Sequence, residues 1–360
     1  MALDLVGLVF DFLSFYALYL SISLSLNLEF GYAGIPNFGK VLFIAGGAAF
    51  AGSITGRLAT TILGVGKGLP FITDNFLIMN QINPILAKDP LLTIELVLLG
   101  LAIAGVIGAV LGYVFSYPAI HLREDYLGLL LLGMAQLFQI ILTEYTPLVG
   151  GTQTILVPNP YYYFSTLGIN DLTDIVSALV MVAFAVLVYL YVERVARSPL
   201  GRVLRAMRDN DDASSALGKD TAKLRRNALM IASALGGMAG AMFTFSVASV
   251  GADTWTRFAW TFWPFLIVIM GGVANNSGVA LGSLFFVLIL KGLELVQPYL
   301  QPLVFFNVNW LQDLLFAGLL IAILYIRPEG IIRERPTFTL PPDVVGSIIG
   351  KKGDDGTERG

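Results

Sequence analysis

Charged residues are spread so unevenly along this 360-residue chain that its uncharged stretches stand out first. They cover residues 12–28, 41–56, 96–117, 127–143, 175–192 and 227–251, then 258–290 and about 311–326. A helix rises ~1.5 Å per residue, so about 20 apolar residues cross a ~30 Å hydrocarbon core. The 258–290 stretch is too long for one crossing. Gly271-Gly272 and Asn275-Asn276-Ser277 interrupt it, which predicts two helices separated by a turn. The 41–56 stretch is short enough to be re-entrant. The pattern predicts an all-α, polytopic integral-membrane bundle of about nine transmembrane helices, some short or broken. A membrane domain fills 1–326, and 327–360 reads as a disordered cytoplasmic tail.

Composition agrees. Hydrophobic residues make up 56% of the chain and charged residues 13%, roughly half the ~25% charged share of a soluble domain. Of the 22 Lys and Arg residues, nine fall between Arg194 and Arg226 and six follow Ile326. Loops rich in Lys and Arg stay cytoplasmic. That rule puts 194–226 and the C-terminus inside, Lys40 and Arg123 inside, segments 57–90 and 160–171 outside, and the N-terminus outside. No Lys or Arg precedes Lys40, so the first span lacks a signal peptide's basic start and reads as retained. With no cysteine and one histidine, His121, thiolate chemistry and cysteine-ligated metals are excluded; no cofactor or metal is expected. Many of the 38 glycines sit inside spans, among them Gly100, Gly105, Gly108 and Gly112, then Gly236, Gly237 and Gly240. Tight helix packing is the expected role of these glycines.

The basic loop 194–226 carries local structure. Ser198-Pro199 is an N-cap followed by proline at the first helical position. Leu200, Val203, Leu204 and Met207 then lie at i, i+3, i+4 and i+7, one apolar stripe. A second short helix is expected over 213–217, capped by Asp211 or Asp212 and ended by Gly218. A connector that only fixes topology needs neither caps nor a stripe, so the loop reads as a docking surface.

From here the chain resembles a known family. Asp212-Ala213-Ser214-Ser215-Ala216-Leu217-Gly218 has the spacing of the Glu-Ala-Ala-x-x-x-Gly motif of ABC importer permeases, with Asp212 for the glutamate and Ser214 for the second alanine. The run Leu200-Gly201-Arg202-Val203-Leu204-Arg205-Ala206-Met207-Arg208-Asp209 resembles the stretch before that motif in branched-chain amino-acid permeases of the LivM and LivH type. Gly31-Tyr32-Ala33-Gly34 with Phe38-Gly39 and Gly46-Gly47, the 122–127 segment, Gly150-Gly151-Thr152, Met270-Gly271-Gly272 and Arg327-Pro328-Glu329-Gly330 are similar to its other signatures, in matching order. Ile35, Pro36, Asn37 and Lys40 depart from it, standing where the family usually has glutamine, an apolar residue, serine and histidine.

The resemblance implies a permease domain over 1–326 with 194–226 as coupling loop. It also implies two cytoplasmic ATP-binding subunits, a related second permease subunit and an extracytoplasmic substrate-binding protein, at the cell membrane. Leu204, Arg205, Met207, Arg208, Asp212, Ala213 and Gly218 are then the expected ATPase-docking residues. Unwound glycine-rich backbone exposes N–H and C=O groups, tolerated at membrane depth where it lines protein or a cavity. Gly31, Tyr32, Gly34, Asn37, Gly150, Gly151, Thr152, Gly271 and Gly272 are therefore the expected substrate-pathway residues, since a zwitterionic amino acid needs both kinds of partner.

No Gly-x-x-x-x-Gly-Lys-Ser/Thr loop occurs, so ATP hydrolysis is expected from other chains and the chain is not expected to be an enzyme. Gly346–Gly353 looks like a nucleic-acid-binding GXXG loop but lacks room for the surrounding domain, and no nucleic acid is expected. Lys291 and Glu294, at i and i+3, read as a local ion pair; Asp313, Glu144, Gln136 and Gln139 suit packing or the pathway equally. A urea or amide permease of the same superfamily is the alternative. An ion-coupled transporter would need mid-span carboxylates that these spans almost lack.

Overall fold

The computed structural model describes residues 5–122, 124–169, 171–301 and 308–334. Arg123, within the 122–127 signature, and the tail from 335 onward lie outside the described residues. Among the described residues, α1 (Leu5–Leu26) passes into a π-helical turn (Asn27–Tyr32), and α2 (Lys40–Leu63), α3 (Asn75–Leu86), α4 (Pro90–His121), α5 (Glu124–Glu144) and α6 (Thr146–Val149) follow. A strand β1 (Ile155–Leu156), α7 (Tyr162–Thr166), α8 (Leu172–Arg197), α9 (Pro199–Asp209), α10 (Asp211–Ala216) and α11 (Thr221–Val247) come next. Strand β2 (Ser249–Val250), a second π-helical turn (Phe258–Phe262), α12 (Trp263–Gly271), α13 (Asn276–Leu300) and α14 (Val308–Ile326) complete the order.

The long 258–290 stretch does split at the glycine–asparagine turn, between α12 and α13. Among the described residues, seven helices are long and apolar enough to cross a membrane: α1 with its π-helical end, α2, α4, α5, α8, α11 and α13. Two more, Phe258–Gly271 and Trp310–Ile326, are shorter apolar helices. At ~1.5 Å per residue the first of these reaches only about 21 Å, short of a full ~30 Å core, so helix length does not fix the crossings at nine. The 41–56 stretch is part of a 24-residue helix, long enough to span; Arg57 does not end it. Its guanidinium lies over the Phe71 ring, 4.7 Å from the centroid, and donates to the Pro147 carbonyl.

Helices α2 and α11 form the centre. Their spanning windows are 78% and 72% buried, against 22–39% for the other five long helices, so the latter present the bundle's outer surface. Glycine allows the central contact. A Cβ on Gly47 would lie 2.5 Å from the Gly237 carbonyl oxygen, and one on Gly237 2.6 Å from that of Ala104. Gly108 and Gly112 meet the backbone of α11 at Ser233 and Leu229 in the same way. Where lipid removes the hydrophobic drive, such close approach supplies dispersion contacts instead.

The two ends differ. At one, the segment 57–90 holds the last turns of α2 and all of α3, and α3 packs with α7 and with β1 of a two-stranded sheet pairing Ile155 with Val250. Asn75 holds that sheet by accepting from Leu156 N at 2.6 Å. Pro84 and three asparagines broke the apolar period that would have announced α3. At the other end lie α9, α10, the π-helical end of α1 and the α12–α13 turn. The segment after α14, placed in the tail on sequence grounds, is docked there as far as residue 334: Ile331 N and Ile332 N donate to the carbonyls of Met270 (2.8 Å) and Gly271 (3.0 Å).

Gly47→Ala and Gly237→Ala should each destabilise the purified protein by about 1–3 kcal/mol through overpacking. Gly133→Ala, on α5 with nothing within 4 Å of its Cβ position, should be neutral or slightly stabilising. Thermal unfolding in one detergent compares all three.

Candidate functional site

Helix α9 starts as its sequence dictates: Ser198 Oγ accepts from Gly201 N at 3.4 Å, with Pro199 at N1. Leu204 and Met207, from its apolar stripe, are buried against their own chain. The cap of α10 is Asn210, whose Oδ1 accepts from Ala213 N at 2.9 Å, not Asp211 or Asp212. Asp211 instead pairs with Arg225 at 3.0 Å; Asn is as good a cap as Asp, and the neighbouring cation draws the carboxylate away. Gly218 ends α10 with φ +76° and open space around it, as its position predicted. The outward surface is therefore α10: Asp212, Ala213, Ser215, Ala216, Leu217 and Gly218 are exposed. Leu217, which the sequence analysis did not single out, is 81% exposed.

Arg205 and Arg208 turn the other way. Arg205 lies over the Tyr32 ring, 4.8 Å from its centroid. Arg208 Nη1 donates to the Gly31 carbonyl at 2.6 Å. Gly34, at φ +70°, has Arg208 Cγ 2.8 Å from where a Cβ would stand. Burial weighs against the charge of Arg208, but the Glu334 and Asp209 carboxylates outweigh it and hold the guanidinium above its ordinary pKa.

Between α1 and α2 the chain makes an elbow deep in the bundle. Asn27 ties it to the α12–α13 turn: its Oδ1 accepts from Ala274 N at 2.9 Å and its Nδ2 donates to Asn276 Oδ1 at 3.0 Å. Ile35 N donates back to the Glu29 carbonyl at 2.8 Å. Asn37 donates to Glu29 Oε1 at 3.1 Å and accepts from Gly39 N at 3.1 Å. Lys40 was expected in a cytoplasmic loop. Instead its side chain and that of Glu29 are 0% exposed and paired at 2.9 Å. Lys40 Nζ also donates to the Ala232 carbonyl at 3.2 Å, about 16 Å along α11 from its first residue. The charge-count rule failed here because it credits every lysine to water, whereas this one has a carboxylate 11 residues earlier.

The expected pathway residues fall into two groups. Gly31, Tyr32, Gly34, Asn37, Gly271 and Gly272 gather at the α9 end; Gly150, Gly151 and Thr152 form the turn after α6 at the opposite end. Gly271 packs against the Gly278 backbone, and Gly272, at φ +118°, against Ile332 O. Tyr32 helps line a cleft of about 430 Å³ with Glu193, Arg202, Arg205 and Asn275.

The family model described as branched-chain amino acid transport system / permease component matches residues 8–324. The chain belongs to this family. It is 38% identical over 343 residues to the probable branched-chain amino acid transport permease protein LivM of Methanocaldococcus jannaschii, covering 95% of this chain and 97% of that one. It is 28% identical over 261 residues to the high-affinity branched-chain amino acid transport system permease proteins LivM of Salmonella typhimurium and Escherichia coli, covering 67% of this chain and 58% of each. No solved structure matches it. As a family member, the chain is a multi-pass membrane permease component.

Sequence reasoning missed Asn27, Glu29 and Glu334. The available signal was the isolated carboxylate Glu29 and the isolated cation Lys40 on either side of a glycine-rich turn. Lys40→Met alone strands the Glu29 charge in the core and should cost about 3–5 kcal/mol. The double variant Glu29→Gln/Lys40→Met should recover most of that loss in the same thermal-unfolding measurement.

Proposed function

We propose that this chain is a transmembrane subunit of an ATP-driven importer of branched-chain amino acids, worked by separate ATPase subunits that dock on α10. The exposed α10, with Leu217 at its tip, carries this reading. An 81% exposed leucine on a charged loop outside the spans has no lipid to cover it, and an apolar anchor rimmed by polar residues suits a protein partner. Substrate class follows from the relatives' names. Family membership supports ATPase and substrate-binding partners, and the reading takes these as two ATPase subunits, a second related permease and an external binding protein. The basic loop 194–226 supports a cytoplasmic α10, and with it an external N-terminus and an internal C-terminus.

In this cycle the ATPase subunits bind ATP and close, drawing α10 with them. Helix α9 moves with α10, and its arginines hold the end of α1. The chain supplies shape and motion rather than bond chemistry, and the absence of a phosphate-binding loop leaves hydrolysis to its partners.

Leu217→Asp should weaken ATPase association about tenfold or more and lower leucine uptake by reconstituted vesicles in proportion, while the bundle's thermal stability stays unchanged. Undiminished uptake and association would overturn the docking role. For orientation, Ser215→Cys in this cysteine-free chain should react with an impermeant maleimide in inverted vesicles and not in right-side-out ones.

A further inference from the structure

The segment after α14 does more than follow the last helix. Its backbone runs along the end of α12, where Ile331 N and Ile332 N take up carbonyls that the helix leaves unpaired. Gly330, at φ +74°, presses against Gly272, leaving no room for a Cβ. Asn275 Nδ2 donates to the Arg333 carbonyl at 2.8 Å. These contacts hold the segment without any help from Glu334.

The Glu334 carboxylate reaches across to α9 instead. Its Oε1 lies 3.2 Å from Arg205 Nε and its Oε2 2.9 Å from Arg208 Nη2. The side chains of Arg205, Arg208 and Glu334 are 14%, 22% and 29% exposed, so this contact is far less screened than a surface pair. The same two arginines make the contacts to the end of α1: Arg205 with the Tyr32 ring, Arg208 with the Gly31 carbonyl. Asp209 also holds Arg208, its Oδ1 3.0 Å from Nη2, but the Glu334 carboxylate reaches both side chains that join α9 to the π-helical turn. Without it, Arg208 keeps Asp209, while the link between Arg205 and Arg208 is lost and Arg205 regains rotamer freedom.

We propose that Glu334 is a positioning residue for transport. It makes α9, the π-helical end of α1 and residues 327–334 one rigid block, so that displacement of α10 reaches the elbow before Lys40 instead of being lost as bending at α9. This inference rests on the reading of α10 as the ATPase-docking element.

The test measures leucine uptake and ATP hydrolysis side by side, with the chain co-expressed with its ATPase subunits and the complex reconstituted in vesicles. In Glu334→Gln the ATPase subunits should still co-purify and hydrolyse ATP, while leucine moved per ATP falls about tenfold, the factor for one lost charge-assisted hydrogen bond. A second arm uses the natural lack of cysteine. Arg205→Cys/Glu334→Cys should be uncoupled, regain coupling when a short reducible thiol cross-linker bridges the pair, and lose it again on reduction. A purely local stabilising role would not give that reversible recovery. ATPase association with undiminished leucine per ATP in Glu334→Gln, or a bridged complex that stays uncoupled, would overturn the inference alone. Failure of the ATPase subunits to co-purify with the unaltered chain would overturn the docking reading, and this inference with it.

Discussion

A chain that leaves helical geometry inside a membrane bundle must satisfy its freed backbone groups from within the protein, because hydrocarbon offers no partners. The elbow between α1 and α2 meets that demand with side chains. Asn27 takes the Ala274 amide, Asn37 the Gly39 amide, and the Glu29 carbonyl takes Ile35 N. The π-helical turn widens the last coil of α1 and brings Asn27, Glu29 and Gly31 to positions that an uninterrupted α-helix would not give them. With the reversal completed there, α2 begins beside the middle of α11 instead of at its end.

That starting point decides the core. Lys40 stands beside Gly236, and from there α2 runs along α11 with Gly47 against Gly237 and Ile44 against Gly240. Moved along by one residue, the glycines would face side chains and the approach would close off. Gly108 and Gly112 extend the same close contact to α4. The elbow's hydrogen bonds and the glycine faces are therefore two expressions of one register. The other outer helices are not all held this way: Gly133 on α5 has open space at its Cβ position.

The sequence displayed the features set by averages and by local chemistry. Uncharged runs marked the long helices, Ser198-Pro199 marked the start of α9, and Gly218 marked the end of α10, because each depends on residues within a turn of one another. It hid features set by partners far along the chain. Asn27 meets Ala274 and Asn276 across some 250 positions; Arg208 meets Gly31 and Glu334. Lys40 was misplaced for the same reason: a lone lysine after a span reads as a loop until its carboxylate is located. The stripe of α9 was visible, but not its direction, since an amphipathic period says that one face seeks apolar company and not whose. It turned to its own bundle and left α10 outward.

The Glu29–Lys40 pair is hard to explain as a stabilising element. Two ions removed from water gain little over a well-packed apolar pair of the same volume. Here Glu29 Oε2 is buried with no hydrogen-bond partner among the described residues, at a cost of roughly 1–3 kcal/mol. What the pair does supply is stiffness against separation. Apolar side chains slide past one another with little penalty so long as they stay covered, whereas pulling this ammonium from this carboxylate exposes each charge to a medium that cannot solvate it. A contact that is costly to make and costlier to break holds two elements in fixed relation, and the elements it holds are the π-helical end of α1, which carries the α9 contacts, and the first turn of the central helix α2.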